Sequence, residues 1–184
     1  MNRGDTNTSL FLIGFMGAGK SSVAAALGEA LEREVLEMDE YIVRQEGMPI
    51  PEIFSQKGEA YFRQCETALL HALAQWEPMV VSCGGGVAMR QENVDAMGAC
   101  GTVILLQARP EVILERVRDD HNRPLLEGHK DVPYISQLME QRRPKYEAAA
   151  DITIDTSDLT VPQVRDEILR RVFGQSARGD GQCQ

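Results

Sequence analysis

The chain has 184 residues, 43% of them hydrophobic, and a formal charge of −9 from 19 basic and 28 acidic residues. The length suits one domain of roughly 100–200 residues. No apolar run nears the roughly 20 residues that span a bilayer, and so acidic a chain argues against a general nucleic-acid binder. Four scattered cysteines (Cys65, Cys83, Cys100, Cys183) suit free thiols better than a disulfide framework or a paired-cysteine zinc site. The opening MNRGDTNTS lacks the apolar core of a signal peptide, so a cytoplasmic location is expected.

In chain order, residues 1–8 read as a tail. SLFLIGF (Ser9–Phe15) reads as a buried strand, and Ser21–Leu31, with Val23, Leu27 and Leu31 four apart, as a helix. VLEMD (Val35–Asp39) predicts a second strand, Gly58–Gln75 a helix, and MVVSC (Met79–Cys83) a third strand stopped by Gly84-Gly85-Gly86. TVILLQ (Thr102–Gln107) and DITIDT (Asp151–Thr156) are the fourth and fifth strands. Pro110 opens a helix where its missing N–H costs little. Val161–Val172 closes the domain as a helix, and residues 174–184, with three glycines and no aliphatic run, read as a disordered tail. Strands alternating with helices imply a parallel sheet covered on both faces.

The strongest motif is Gly14-Phe15-Met16-Gly17-Ala18-Gly19-Lys20-Ser21, which fits G-x-x-x-x-G-K-[ST] between a strand and a helix. Glycines there let backbone N–H groups turn toward phosphate oxygens, and the helix N-terminus adds positive charge. Lys20 reaches the β- and γ-phosphates, and the Ser21 hydroxyl ligates Mg²⁺. Such a loop identifies a nucleotide site, not a reaction. The strand before Gly84 ends without the acidic Mg²⁺ ligand usual in motors and GTPases, and no guanine-reading Asn-Lys-x-Asp segment is found, so a small-metabolite kinase gains weight.

Downstream features outline an acceptor pocket. Read as the end of a strand, Glu37 and Asp39 share a face toward the phosphate loop; Asp39 reads equally well as an N-cap for a helix starting near Tyr41. Arg63, four after Glu59 and three before Glu66, is either in surface ion pairs or aimed at a carboxylate substrate and oriented by Glu66. Gly84-Gly85-Gly86 permits close ligand approach at the sheet edge. Residues 119–130, around Asn122-Arg123-Pro124-Leu125-Leu126, look like a mobile lid that shuts out water. Gln141-Arg142-Arg143-Pro144 reads as the end of another helix, where two arginines also suit the helix C-terminus. His71, His121 and His129 read as surface or packing residues, and Cys83 has no histidine partner to make it a nucleophile.

Together these blocks resemble the shikimate kinase family over about residues 9–173. GFMGAGKS looks like its phosphate loop, EMD its Asp-x-Asp strand end, and IPEIFSQKGEAYFRQCE (Ile50–Glu66) its shikimate-binding segment. SCGGG, NRPLL and QRRPKYEAAAD are similar to its glycine, lid and second arginine motifs. The resemblance implies an α/β, P-loop NTPase-type three-layer fold: a five-stranded parallel sheet flanked by helices, plus a lid, with the acceptor segment at about residues 37–66. It implies ATP-dependent phosphorylation of the shikimate 3-hydroxyl, with Mg²⁺ as cofactor, by a monomer whose partners are ATP and shikimate, neither nucleic acid nor membrane. Lys20, Asp39 and Arg123 would be catalytic. Asp39, Phe62, Arg63, Glu66, Gly84, Gly85, Gly86 and Arg142 would bind shikimate, with Phe54 packing beside Phe62. Gly17, Ala18, Gly19, Lys20, Ser21, Ser22, Arg116 and Arg123 would bind the nucleotide. Two departures stand out. Glu37 replaces the family's first strand-end Asp, and Thr156-Ser157-Asp158-Leu159 lacks an arginine common in the family's adenine loop. They leave two alternatives: a kinase for another hydroxy acid such as gluconate, or a non-catalytic nucleotide-binding paralogue.

Overall fold

Alternation along one central strand builds two cores. In β1 (Ser9–Ile13), Leu10 and Leu12 face one side of the sheet and Phe11 and Ile13 the other, and all four are buried. β1 lies in a five-stranded parallel sheet with β2 (Val35–Glu37), β3 (Val80–Ser82), β4 (Gly101–Gln107) and β5 (Ile152–Asp155), in the order β2-β3-β1-β4-β5. The described residues are 8–118 and 131–174 of a computed structural model. The anticipated lid with Arg123, His121 and His129, the tail before residue 8 and the one after residue 174 lie outside them.

On the Leu10 face, α1 (Lys20–Leu31), α6 (Pro110–Val117) and α8 (Val161–Phe173) cover the sheet through Val23, Leu27, Ile113, Val117, Val164 and Ile168. On the Phe11 face, α2 (Met38–Glu46), α3 (Ile50–Lys57), α4 (Glu59–Leu73) and α5 (Gln91–Cys100) pack Met38, Ile42, Ile53, Phe62, Leu70 and Met97 against Val81, Val103 and Leu105. α7 (Val132–Ala149) reaches both cores, through Ile135 at one end and Tyr146 at the other. This is the expected three-layer α/β fold with five parallel strands.

Three local expectations change. The second strand stops at Glu37, because its partner β3 stops at Ser82, the last residue in register with it. Met38 and Asp39 already belong to α2, with Glu37 at the N-cap position, so Asp39 is neither a strand residue nor the N-cap. Asp39 and Glu40 instead place negative charge in the first turn, which the helix dipole favours. Second, Arg142 and Arg143 do not end a helix, because α7 continues through Pro144 to Ala149. An interior proline removes a backbone hydrogen bond at a cost of about 3 kcal/mol; burial of Tyr146 and Ala149 beyond it offsets this. Third, α3 and α5 are additional helices. Both are short, and α3 owes its clean start to Pro51 in its first turn.

Candidate active site

All strands present their carboxyl ends to the same edge. The neighbours of β1 are β3 on one side and β4 on the other, so the connections leaving β1 and β3 part there and leave a crevice. The loop after β1 lines it. Gly14, Gly17 and Gly19 have φ of +140°, +78° and +98°, and Gly19 is the N-cap of α1. Only glycine adopts these angles without strain. Lys20 folds back over the loop, its Nζ donating to the carbonyls of Gly14 (3.0 Å) and Phe15 (3.1 Å). Ser21 and Ser22 are exposed on the first turn of α1. The Ser21 hydroxyl donates to Glu37 Oε2 at 3.1 Å. Burial pushes the Glu37 carboxyl above its ordinary range, and hydrogen bonds from Ser82 and Ser21 hold it back. The longer Glu37 side chain therefore still reaches the phosphate-loop hydroxyl. A hydroxyl beside a carboxylate is a hard-oxygen pair that fits Mg²⁺, which is commonly held by one or two protein oxygens plus substrate phosphates.

The side of the crevice next to β3 is organised by the three glycines after that strand. A Cβ on Gly84 would lie 2.6 Å from Asp39 Oδ1 and 3.1 Å from Glu66 Oε1. One on Gly86 would lie 2.3 Å from Arg63 Nη1. One on Gly85 would lie 3.9 Å from Arg142 Nη1, from the Tyr146 hydroxyl and from the Gly14 carbonyl. The turn thus brings together Asp39, Glu66, Arg63 and Arg142 from α2, α4 and α7, and abuts the start of the phosphate loop.

Arg63 is held on both flanks. Its Nη1 donates to Glu66 Oε2 (2.9 Å) and Oε1 (3.1 Å), and its Nη2 to Glu59 Oε1 (2.7 Å). The ion pairs expected of Arg63 exist, with Glu66 buried rather than at the surface, and they leave the guanidinium beside the glycine turn. Burial opposes its charge, but Glu66 and Glu59 overcome this and hold it more firmly protonated than usual. Glu66 is fully buried, and burial pushes its carboxyl up to about 7 against the pull of Arg63. Arg63 lies 5.5 Å from the Phe62 ring centroid, and Phe62 meets Phe54 edge-on at 5.2 Å. Arg142 lies 5.9 Å from the Phe15 centroid.

Arg116 joins the phosphate loop to the segment after β5. It donates to Thr156 Oγ1 (3.0 Å), the Thr156 carbonyl (2.9 Å) and the Gly17 carbonyl (3.3 Å). Thr156 is buried, and its hydroxyl lies 3.2 Å from the Ala18 carbonyl. Asp158, in the segment that lacks the family's arginine, accepts a two-pronged pair from Arg109, both bonds at 2.7 Å.

Sequence reasoning missed Tyr146, whose hydroxyl donates to the Gly85 carbonyl at 2.5 Å, and Thr156. Tyr146 stands four residues after Arg142, on the same helix face, a spacing that could have found it. Cys83 is buried in the core with its thiol pushed up by desolvation, and His71 pairs with Glu92 at the surface, so neither enters the site.

The family model described as shikimate kinase matches residues 16–173. The chain belongs to the shikimate kinase family. A shikimate kinase of Dehalococcoides mccartyi is 41% identical over 160 residues, covering 87% of this chain and 90% of that protein. Among solved structures, a shikimate kinase from Acinetobacter baumannii in complex with shikimate is 33% identical with a TM-score of 0.88, covering 95% of this chain and 97% of that one. The shikimate kinase of Aquifex aeolicus is 36% identical with a TM-score of 0.75, covering 93% and 99%. Family membership thus agrees with a site that pairs a phosphate loop with a glycine turn flanked by Arg63 and Arg142.

Proposed function

We propose that the protein transfers the γ-phosphoryl group of ATP to the 3-hydroxyl of shikimate, giving shikimate 3-phosphate and ADP on the route to chorismate and the aromatic amino acids. The observation that carries this reading is the adjacency at Gly85. A Cβ there would be equidistant, at 3.9 Å, from a phosphate-loop carbonyl and from the Arg142 guanidinium. An anionic acceptor held by arginine is thereby set next to the phosphate to be transferred. The A. baumannii relative solved with shikimate supports the choice of acceptor.

In this reading Arg63 and Arg142 hold the substrate carboxylate, to which their planar forks are suited. Asp39 accepts a hydrogen bond from the acceptor hydroxyl and takes its proton as the new O–P bond forms and the bond to the β-phosphate bridge breaks. Lys20 exchanges its loop carbonyls for the β- and γ-phosphates. Ser21, with Glu37 behind it, would hold Mg²⁺, which neutralises phosphate charge when bound. Arg123, through the resemblance, would meet the transferring group, and Arg116 and Thr156 would border the base. Catalysis is then mostly positioning and electrostatics. The proposal takes the enzyme as a cytoplasmic monomer; no helix among the described residues is long and apolar enough to cross a membrane.

The test is ADP release over a panel of hydroxy acids that includes shikimate and gluconate. Stimulation by shikimate above all others is expected. Stimulation by another acid alone would move the assignment to that acceptor, and ATP binding with no turnover of any acceptor would overturn kinase activity.

A further inference from the structure

Behind the acceptor pocket lies a buried polar chain that meets the residues assigned to substrate only at the backbone carbonyl of Arg63. Asn93, fully buried in the first turn of α5, donates through Nδ2 to the Val87 carbonyl at 3.0 Å. A carbonyl only accepts, so this contact fixes the amide orientation and turns Oδ1 toward Thr67 of α4. The Thr67 hydroxyl lies 2.7 Å from Asn93 Oδ1 and 3.0 Å from the Arg63 carbonyl. It has one proton, and the shorter contact is the bond to Asn93. Its oxygen then accepts from Arg90 Nη1 at 3.3 Å. The chain runs Arg90 to Thr67 to Asn93 to Val87, each bond polarising the next.

Its two ends are informative. Val87 follows Gly86 directly, and Thr67 follows Glu66 and stands one helical turn beyond Arg63. The chain therefore ties the glycine turn to the helix turn that carries Arg63 and Glu66. The Arg63 guanidinium lies directly against Gly86, where a Cβ would displace it. We infer that Thr67 and Asn93 are positioning residues of the acceptor site, setting the distance between the Gly84–Gly86 turn and Arg63 without touching substrate. This rests on the reading of Arg63 as a carboxylate-binding group.

The test compares Thr67→Val, which keeps shape and removes the hydroxyl, with Thr67→Ser, which restores it. Leaving Asn93 Oδ1 buried without a donor is costly to the folded site, and the cost is relieved if α4 and the Gly84–Gly86 turn shift relative to each other. The expected result is a rise of about tenfold or more in KM for shikimate in Thr67→Val, an ATP KM within about twofold of wild type, and recovery in Thr67→Ser. The ¹H–¹⁵N signal of Arg63 Nε, recorded without substrate, should shift in Thr67→Val and return in Thr67→Ser. An unchanged shikimate KM, an equal rise in both KM values, or Thr67→Ser behaving as Thr67→Val would overturn the inference. If Thr67→Val fails to fold, Arg90→Ala reads the same chain from its half-exposed end. It should raise shikimate KM about threefold and leave ATP KM alone, and no change would count against the inference. Absence of shikimate turnover in the wild type would overturn the substrate reading instead, and the Arg63 Nε signal then decides the positioning claim alone.

Discussion

Glu66 is the most exposed to pH of the groups at the site, although it is the least exposed to solvent. Its carboxyl binds a proton more tightly in the fold, at about 7, than in the unfolded chain, where the ordinary value is near 4.5. Folded protein therefore holds more protons than unfolded protein between those limits, and this group's contribution to stability falls as pH rises through the window. Glu66→Gln should remove that fall, measured as the difference between wild-type and variant unfolding free energies across pH. Function runs the other way. Below about pH 7 Glu66 becomes neutral and Arg63 loses its buried counter-charge. The acceptor KM of wild type should rise as pH drops below 7, and Glu66→Gln should show a high, pH-independent value. Gly86 gives a second test at the same scale. Gly86→Ala drives a methyl into the end of a flexible side chain, so Arg63 moves aside rather than the fold breaking. The expected outcome is a melting temperature within a few degrees of wild type and an acceptor KM raised at least about tenfold.

At the scale of elements, the site depends on strand ends tied to helix starts. Thr156, just past β5, links the phosphate loop, the end of β4 and Arg116 of α6. Thr156→Val should raise ATP KM about tenfold through lost support of Arg116, with acceptor KM unchanged. This is also the scale at which sequence and structure diverge. The sheet strands are legible because both faces of β1 and β4 are covered, which requires near-continuous apolar runs. The phosphate loop is legible because its geometry demands glycines at fixed spacing. Asp39 was misread because EMD alone does not reveal that β3 ends at Ser82. Pro144 suggested a helix end because the burial of Tyr146 that carries α7 past it is a tertiary effect. Thr67, Asn93 and Thr156 stayed hidden because the contacts that give them a role, Thr67 to Asn93 and Thr156 to Ala18, join residues 26 and 138 positions apart in the chain.

For the whole molecule, the net charge of −9 is at odds with two anionic ligands only if charge is spread evenly. The fold gathers Lys20, Arg63, Arg116 and Arg142 at one edge of the sheet and leaves the acidic excess to other surfaces, where it favours solubility. Of these four cations, Arg63 is the one flanked by two carboxylates beside the glycine turn. Initial rates of Arg63→Ala against shikimate and ATP separate the two halves of the site. Removing one partner of a desolvated charge pair costs about 2–5 kcal/mol, so shikimate KM should rise about 30-fold or more while ATP KM stays within about twofold. An unchanged shikimate KM in a folded Arg63→Ala protein would mean that Arg63 does not hold the acceptor.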